Sequence, residues 1–115
     1  MKEYTPTKIK TRVIKILKDN KAINVTSINI KNLTDIADYM VICTANSTTH
    51  VKSLTDRVCK NLSKINIKPI GVEGVDSREW ILVDFGDIIL HVMLEPIRNF
   101  YNLEKLWNIK NKRNN

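Results

Sequence analysis

The chain has 115 residues, of which 43% are hydrophobic and 6% aromatic, and its formal net charge is +7. That length suits one domain, hiding roughly two-thirds of its unfolded surface, and excludes a barrel enzyme or a two-domain kinase. The apolar content and mixed charge exclude a disordered protein, and no apolar run approaches the roughly 20 residues of a bilayer span.

Thr5-Pro6 reads as a helix N-cap followed by proline at the first helical position. Ile9, Val13, Ile16 and Leu17 then repeat at helical spacing, and the helix is expected to end near Asp19-Asn20. Ile23 to Ile30 is β-rich with imperfect alternation, which predicts a strand with a bulge. Tyr39-Met40-Val41-Ile42-Cys43 is continuously apolar, the pattern of a central strand covered on both faces. Asn46-Ser47 then offers capping side chains to a second helix whose stripe is Val51, Leu54, Val58, Leu62 and Ile65. This helix joins strands on either side of it in a βαβ-like unit.

Ile70 and Val72 mark a short strand that Gly74 closes. Trp80 to Phe85 and Ile88 to Leu94 form a hairpin around Gly86-Asp87, with glycine at the position that needs a positive φ in a type II′ turn. Pro96 opens a final helix whose expected buried stripe is Ile97, Phe100, Leu103, Leu106 and Trp107. The fold class is therefore α/β (α+β): a single domain over residues 1–108, with a basic tail over 109–115.

Along the chain the charge is uneven. Residues 1–20 and 98–115 each net +4, whereas 21–97 nets −1. Within residues 73–95, Glu73, Asp76, Glu79, Asp84, Asp87 and Glu95 stand against Arg78 alone. The basic ends read as solvated segments with weak phosphate affinity, and the acidic segment suits a basic protein partner.

Little in the sequence points to catalysis. Asp84-Phe85-Gly86 spells a kinase metal motif without the phosphate loop or catalytic loop that would give it meaning. Asp84, Asp87 and His91 are the best metal candidates, but strand alternation does not bring all three together. Ser47 reads as a cap, and Cys43 as an inert core thiol. Cys43 and Cys59 make neither a metal spacing nor a disulfide framework. His50, in a first helical turn, is either neutral and hydrogen-bonded or in contact with a partner. Trp80 and Leu82 share one strand face, Ile81 and Val83 the other. Trp80 is thus either core or an interface anchor rimmed by Glu73, Asp76, Arg78 and Glu79. Met1 to Pro6 has no apolar signal core and little arginine, so a cytoplasmic protein is expected.

Four blocks together carry a resemblance: Asp38 to Ser47 with His50-Val51; Gly71-Val72-Glu73-Gly74; Trp80 to Asp87 with His91-Val92-Met93; and Arg98 to Trp107. In this order and spacing they resemble the ribosomal silencing factor family, also called the Iojap family, over roughly residues 7–108. The resemblance implies a mixed five-stranded sheet flanked by helices, with a nucleotidyltransferase-like topology but no catalytic apparatus, metal or cofactor. It implies a translational repressor that binds the large ribosomal subunit through its ribosomal protein fourteen. Joining of the subunits would thereby be blocked when nutrients are scarce. Family members also form homodimers; neither DNA nor a membrane is an expected partner. Trp80 and Ile81 are the implied contact pair, with Tyr101 behind them. The charge pattern adds Glu73, Asp76, Glu79, Asp84 and Asp87 as candidates facing basic groups. Two positions depart from the family pattern: Ala45 stands for a usual glycine, and Met40 for a usual phenylalanine. The alternatives are a metal-dependent nucleotidyltransferase-like enzyme and a general RNA-binding protein acting through its basic ends.

Overall fold

Thr5 caps the first helix, α1 (Pro6–Asp19), by accepting a hydrogen bond from the Lys8 N–H at 3.2 Å, and Pro6 supplies the preset φ of its first turn. The computed structural model describes residues 4–107, so the basic tail predicted at 109–115 lies outside the described residues. Around α1 follow β1 (Ile23–Asn29), β2 (Tyr39–Ala45), α2 (Thr48–Ser63), β3 (Gly71–Glu73), β4 (Trp80–Asp84), β5 (Ile88–Leu94) and α3 (Glu95–Tyr101). The five strands form one sheet in the order β1-β2-β5-β4-β3. Only β2 and β5 pair in parallel; the remaining pairs are antiparallel. The predicted mixed five-stranded sheet flanked by helices is the observed one. The connection from β2 through α2 to β3 is a wide crossover, because β5 and β4 lie between those strands.

Alternation along the strands divides the core in two. Val41, Cys43, Ala45, Ile81, Val83, Ile88, Leu90 and Val92 face α1 and α2, meeting Ile9, Val13 and Leu17 from one helix and Val51, Leu54, Val58 and Leu62 from the other. Each fully buried aliphatic side chain contributes about 1.5–3 kcal/mol, so this layer is the main source of stability. On the opposite face Ile30, Ala37, Met40, Ile42 and Met93 make a smaller cluster, against which Trp80, Ile97, Leu103 and Trp107 pack. Met40 is buried in that cluster, and Ala45 ends β2 outside the positive-φ residues.

Two sequence expectations, the continuous final helix and its buried stripe, are corrected. The final helix is not continuous: Asn102 adopts a left-handed conformation (φ 45°, ψ 58°), and helical backbone resumes only over 103–107. The break rotates the stripe, leaving Phe100 80% and Leu106 53% exposed while Ile97, Leu103 and Trp107 stay half-buried. Arg98, which a surface helix would leave in water, is buried. The charge, finally, segregates by layer as well as by chain end. α1 and α2 carry eight Lys/Arg against Asp19 and Asp56, a net +6 on the helical layer.

The predicted bulge in β1 is present. Register shifts between Ile23 and Thr26, where Asn24 takes φ 49°, a region that asparagine tolerates better than most residues. Ser47 caps α2 by accepting from the His50 N–H at 3.1 Å. His50 Nδ1 accepts from the Asn46 N–H, so its proton sits on Nε2 and is donated to the Asn20 carbonyl at 3.0 Å. That resolves His50 as a neutral, internally bonded side chain. Cys43 is fully buried, and burial pushes its thiol up to about 12, which makes it inert. No helix among the described residues is long and apolar enough to cross a membrane.

Candidate functional site

The sheet face away from α1 and α2 carries the candidate site. β4 alternates, with Trp80, Leu82 and Asp84 half-buried on this face and Ile81 and Val83 fully buried beneath the helices. Trp80 is therefore neither wholly core nor wholly free. Its indole N–H donates to His91 Nδ1 on the neighbouring strand at 2.9 Å. On its other side the ring lies 4.9 Å from that of Tyr101, centroid to centroid, in a tilted arrangement. Tyr101 in turn meets Phe100 edge-on at 5.0 Å. The three aromatic rings form one connected patch, with Tyr101 53% and Phe100 80% exposed. Next to it Glu73, Gly74, Trp80 and Leu82 line a concavity of about 250 Å³.

Backbone geometry holds this arrangement. Gly74 takes φ +91°, and a Cβ there would meet the Trp80 carbonyl oxygen at 2.0 Å, so only glycine lets the β3–β4 loop close over the start of β4. Arg98 anchors the other half. Its guanidinium donates to the Asn24 carbonyl (2.6 Å), Thr44 Oγ1 (3.0 Å), Thr26 Oγ1 (3.1 Å) and Glu104 Oε1 (2.8 Å). The β1 bulge at Asn24 supplies one of these acceptors, so a strand irregularity fixes the helix that carries Phe100 and Tyr101.

The predicted contact residues separate under this geometry. Trp80 and Tyr101 meet. Ile81 does not join them: it is 0% exposed, on the helix-covered face, where strand alternation places it. Glu73, Asp76 and Glu79 are exposed near the Trp80 end of the hairpin. Asp84 and Asp87 lie at the opposite end, about 13 Å along β4 from Trp80 at the usual strand rise. Asp84 Oδ1 accepts the Gly86 N–H at 2.8 Å, and the Asp87 carbonyl receives the N–H groups of Asp38 and Tyr39. The acidic segment is thus two groups, of which the second stabilises a turn.

As metal ligands, Asp84, Asp87 and His91 are not assembled. Asp84 stands opposite Ile89 and His91 opposite Leu82, while Asp87 is at the turn. Among the described residues no group of three or more His, Cys, Asp or Glu is placed to hold a metal ion. His91 is buried, and desolvation lowers it to a pKa of about 4, so it is a neutral acceptor for the indole. Its Nε2 is buried without a hydrogen-bond partner among the described residues. The sequence pattern does not place Phe100 in this patch, because an unbroken helix would bury it. The asparagine at 102, a residue with αL tolerance, was the available signal.

The protein is thus a small α+β domain with an aromatic patch and an acidic rim on one sheet face. The family model for "Ribosomal silencing factor during starvation" matches residues 3–115. A ribosomal silencing factor RsfS from Chromobacterium violaceum is 36% identical over 94 residues, covering 82% of this chain and 77% of that protein. A crystal structure of a Chromobacterium violaceum protein superposes with a TM-score of 0.88 at 34% identity, covering 90% of this chain and 87% of the other. Mouse "mitochondrial assembly of ribosomal large subunit protein 1" is 29% identical over 101 residues, 85% of this chain and 44% of that protein. The chain belongs to the ribosomal silencing factor family.

Proposed function

We propose that this protein is a non-enzymatic translational repressor, cytoplasmic and homodimeric when free, needing no metal or cofactor. It binds the large ribosomal subunit through ribosomal protein fourteen and sterically blocks joining of the small subunit. The observation that carries this reading is the connected Trp80–Tyr101–Phe100 patch on a sheet face that the two long helices leave uncovered. An anchored tryptophan beside exposed aromatics has the composition of an interface centre, and Glu73, Asp76 and Glu79 supply a rim complementary to a basic protein. Asp84 and Asp87 extend the acidic potential along the hairpin, and Ile81 acts from beneath, by packing the strand that presents Trp80. The family name and the large-subunit assembly role in the mouse relative's name support the choice of target.

The test is co-sedimentation of the purified protein with isolated large and small subunits at moderate salt. Binding to the large subunit alone, lost in a folded Trp80→Ala variant, is expected. The variant should bind about 30-fold more weakly, a loss of on the order of 2 kcal/mol. Equal binding to both subunits, or parental affinity in that variant, would overturn the reading.

A further inference from the structure

Opposite the aromatic patch, the outer surface of α1 and α2 holds a second candidate surface of quite different chemistry. Both acidic residues of these helices are already engaged in pairs one turn away, Asp19 with Lys15 at 3.0 Å and Asp56 with Lys52 at 2.7 Å. Among the described residues, Arg57, Lys60 and Lys64 of the α2 segment and Arg78 of the β3–β4 loop make no ion pair. They are not scattered. Arg57 and Lys60 border both a concavity of about 480 Å³, shared with Thr49, Ser53, Arg78 and the Lys52–Asp56 pair, and one of about 300 Å³ that adds Lys64. The second shares Ile16, Asp19 and Asn61 with a third, of about 270 Å³, reaching Arg12 and Lys15. The three make one cationic track from the β3–β4 loop across α2 to α1.

The loop residue is the most informative. Arg78 holds φ 58° in a turn closed by its N–H on the Gly74 carbonyl at 3.0 Å. Glycine would occupy that conformation without steric cost, yet an arginine stands there, forming the wall that faces α2 across the concavity of about 480 Å³. A strained backbone that carries an unneutralised guanidinium into a basic groove points to a function for the side chain.

We propose that this track binds the phosphodiester backbone of RNA. Arginine, lysine and small hydroxyls such as Thr49 and Ser53 are the groups that contact phosphate oxygens. The concavity of about 480 Å³ has no aromatic or large aliphatic residue in its lining, whereas a protein partner would require an apolar anchor. Because track and aromatic patch lie on opposite sides of the sheet, one domain can touch protein and RNA together. The inference does not rest on the aromatic patch, and naked RNA tests it without any ribosomal protein.

The experiment is fluorescence anisotropy of the full chain with a labelled 16-nucleotide single-stranded RNA between 50 and 200 mM KCl. Polyglutamate serves as an unlabelled competitor. Salt-dependent binding is expected, with the Arg57→Glu/Lys60→Glu variant at least tenfold weaker and its log–log salt slope smaller by about 1.4, the value for two lost phosphate contacts. Arg78→Gly should melt at or above the parental temperature and still lose RNA affinity severalfold, an outcome no purely structural role for Arg78 produces. The proposal is overturned if the parent fails to bind or the double variant binds as well as the parent. It is equally overturned if removing residues 109–115 alone abolishes binding, or if polyglutamate competes as well as unlabelled RNA.

Discussion

The indole N–H of Trp80 donates to Nδ1 of His91 across the β4–β5 ladder at 2.9 Å, so a buried, uncharged histidine sets the angle at which the tryptophan is presented. Its protonation would remove the acceptor. Because the folded-state pKa lies near 4, below the ordinary 6.5, the unfolded chain binds more protons between these values. Stability from this group is fully present above pH 6.5 and is lost as pH falls toward 4, by on the order of 3 kcal/mol. Urea titrations of the parent and of His91→Phe at pH 7, 6 and 5 isolate the effect from the carboxylates. The parent should lose more stability than the variant across that range, and equal slopes would refute it.

As the proposed contact pair, Trp80 and Tyr101 are expected to act as a unit, because their ring centroids lie 4.9 Å apart. Single alanine substitutions should therefore not add. In a double-mutant cycle on large-subunit binding, the coupling is expected at about 0.5–1.5 kcal/mol, with the double variant less impaired than the sum. Strict additivity would mean that the two residues contact the partner separately.

Local chemistry made much of this fold legible. Thr5-Pro6 and Ser47 marked helix starts, Gly86 marked the hairpin, and the apolar run at Tyr39 to Cys43 marked a strand covered on both faces. Alternation in Trp80 to Val83 assigned the two strand faces correctly, which by itself places Ile81 in the core. Non-local relationships were not legible. Positions 97, 100, 103 and 107 keep helical spacing through Asn102, so periodicity passes over a break that one left-handed residue makes. Arg98 finds its Asn24 carbonyl 74 residues away, and nothing around it in sequence announces burial. The basic track is similarly invisible to linear windows, since α2 sits in a segment of nearly neutral charge and joins α1 only on folding.

Arg98 ties α3 to β1 and β2 through a planar, multiply bonded guanidinium that lysine cannot reproduce. Arg98→Lys should cost about 2 kcal/mol, and Arg98→Ala about 3 or more, since Glu104 and the Asn24 carbonyl then lose their donor. Both substitutions loosen the helix that carries Phe100 and Tyr101, so large-subunit affinity should fall along with the melting temperature. Hydrogen exchange offers a sharper reading, with faster exchange expected in α3 and at the β1 bulge than in α1. Unchanged melting in Arg98→Ala would show that the network contributes nothing net.

The hairpin loops predict a ranking among alanine substitutions. At Gly74 the added Cβ meets a backbone carbonyl at 2.0 Å and φ is +91°, so space and conformation both oppose it. At Gly86 φ is also +91°, but the nearest atom is Ile70 Cδ1 at 3.3 Å, the end of an exposed side chain that can move. At Gly71 nothing lies within 4 Å. Gly74→Ala should therefore destabilise by about 2 kcal/mol or more, Gly86→Ala by about 1 kcal/mol, and Gly71→Ala by little. Gly74→Ala should also displace the start of β4, so it alone of the three would shift the Trp80 fluorescence and weaken large-subunit binding. If Gly86→Ala proved the most damaging, the Gly74–Trp80 approach would not be what closes the loop.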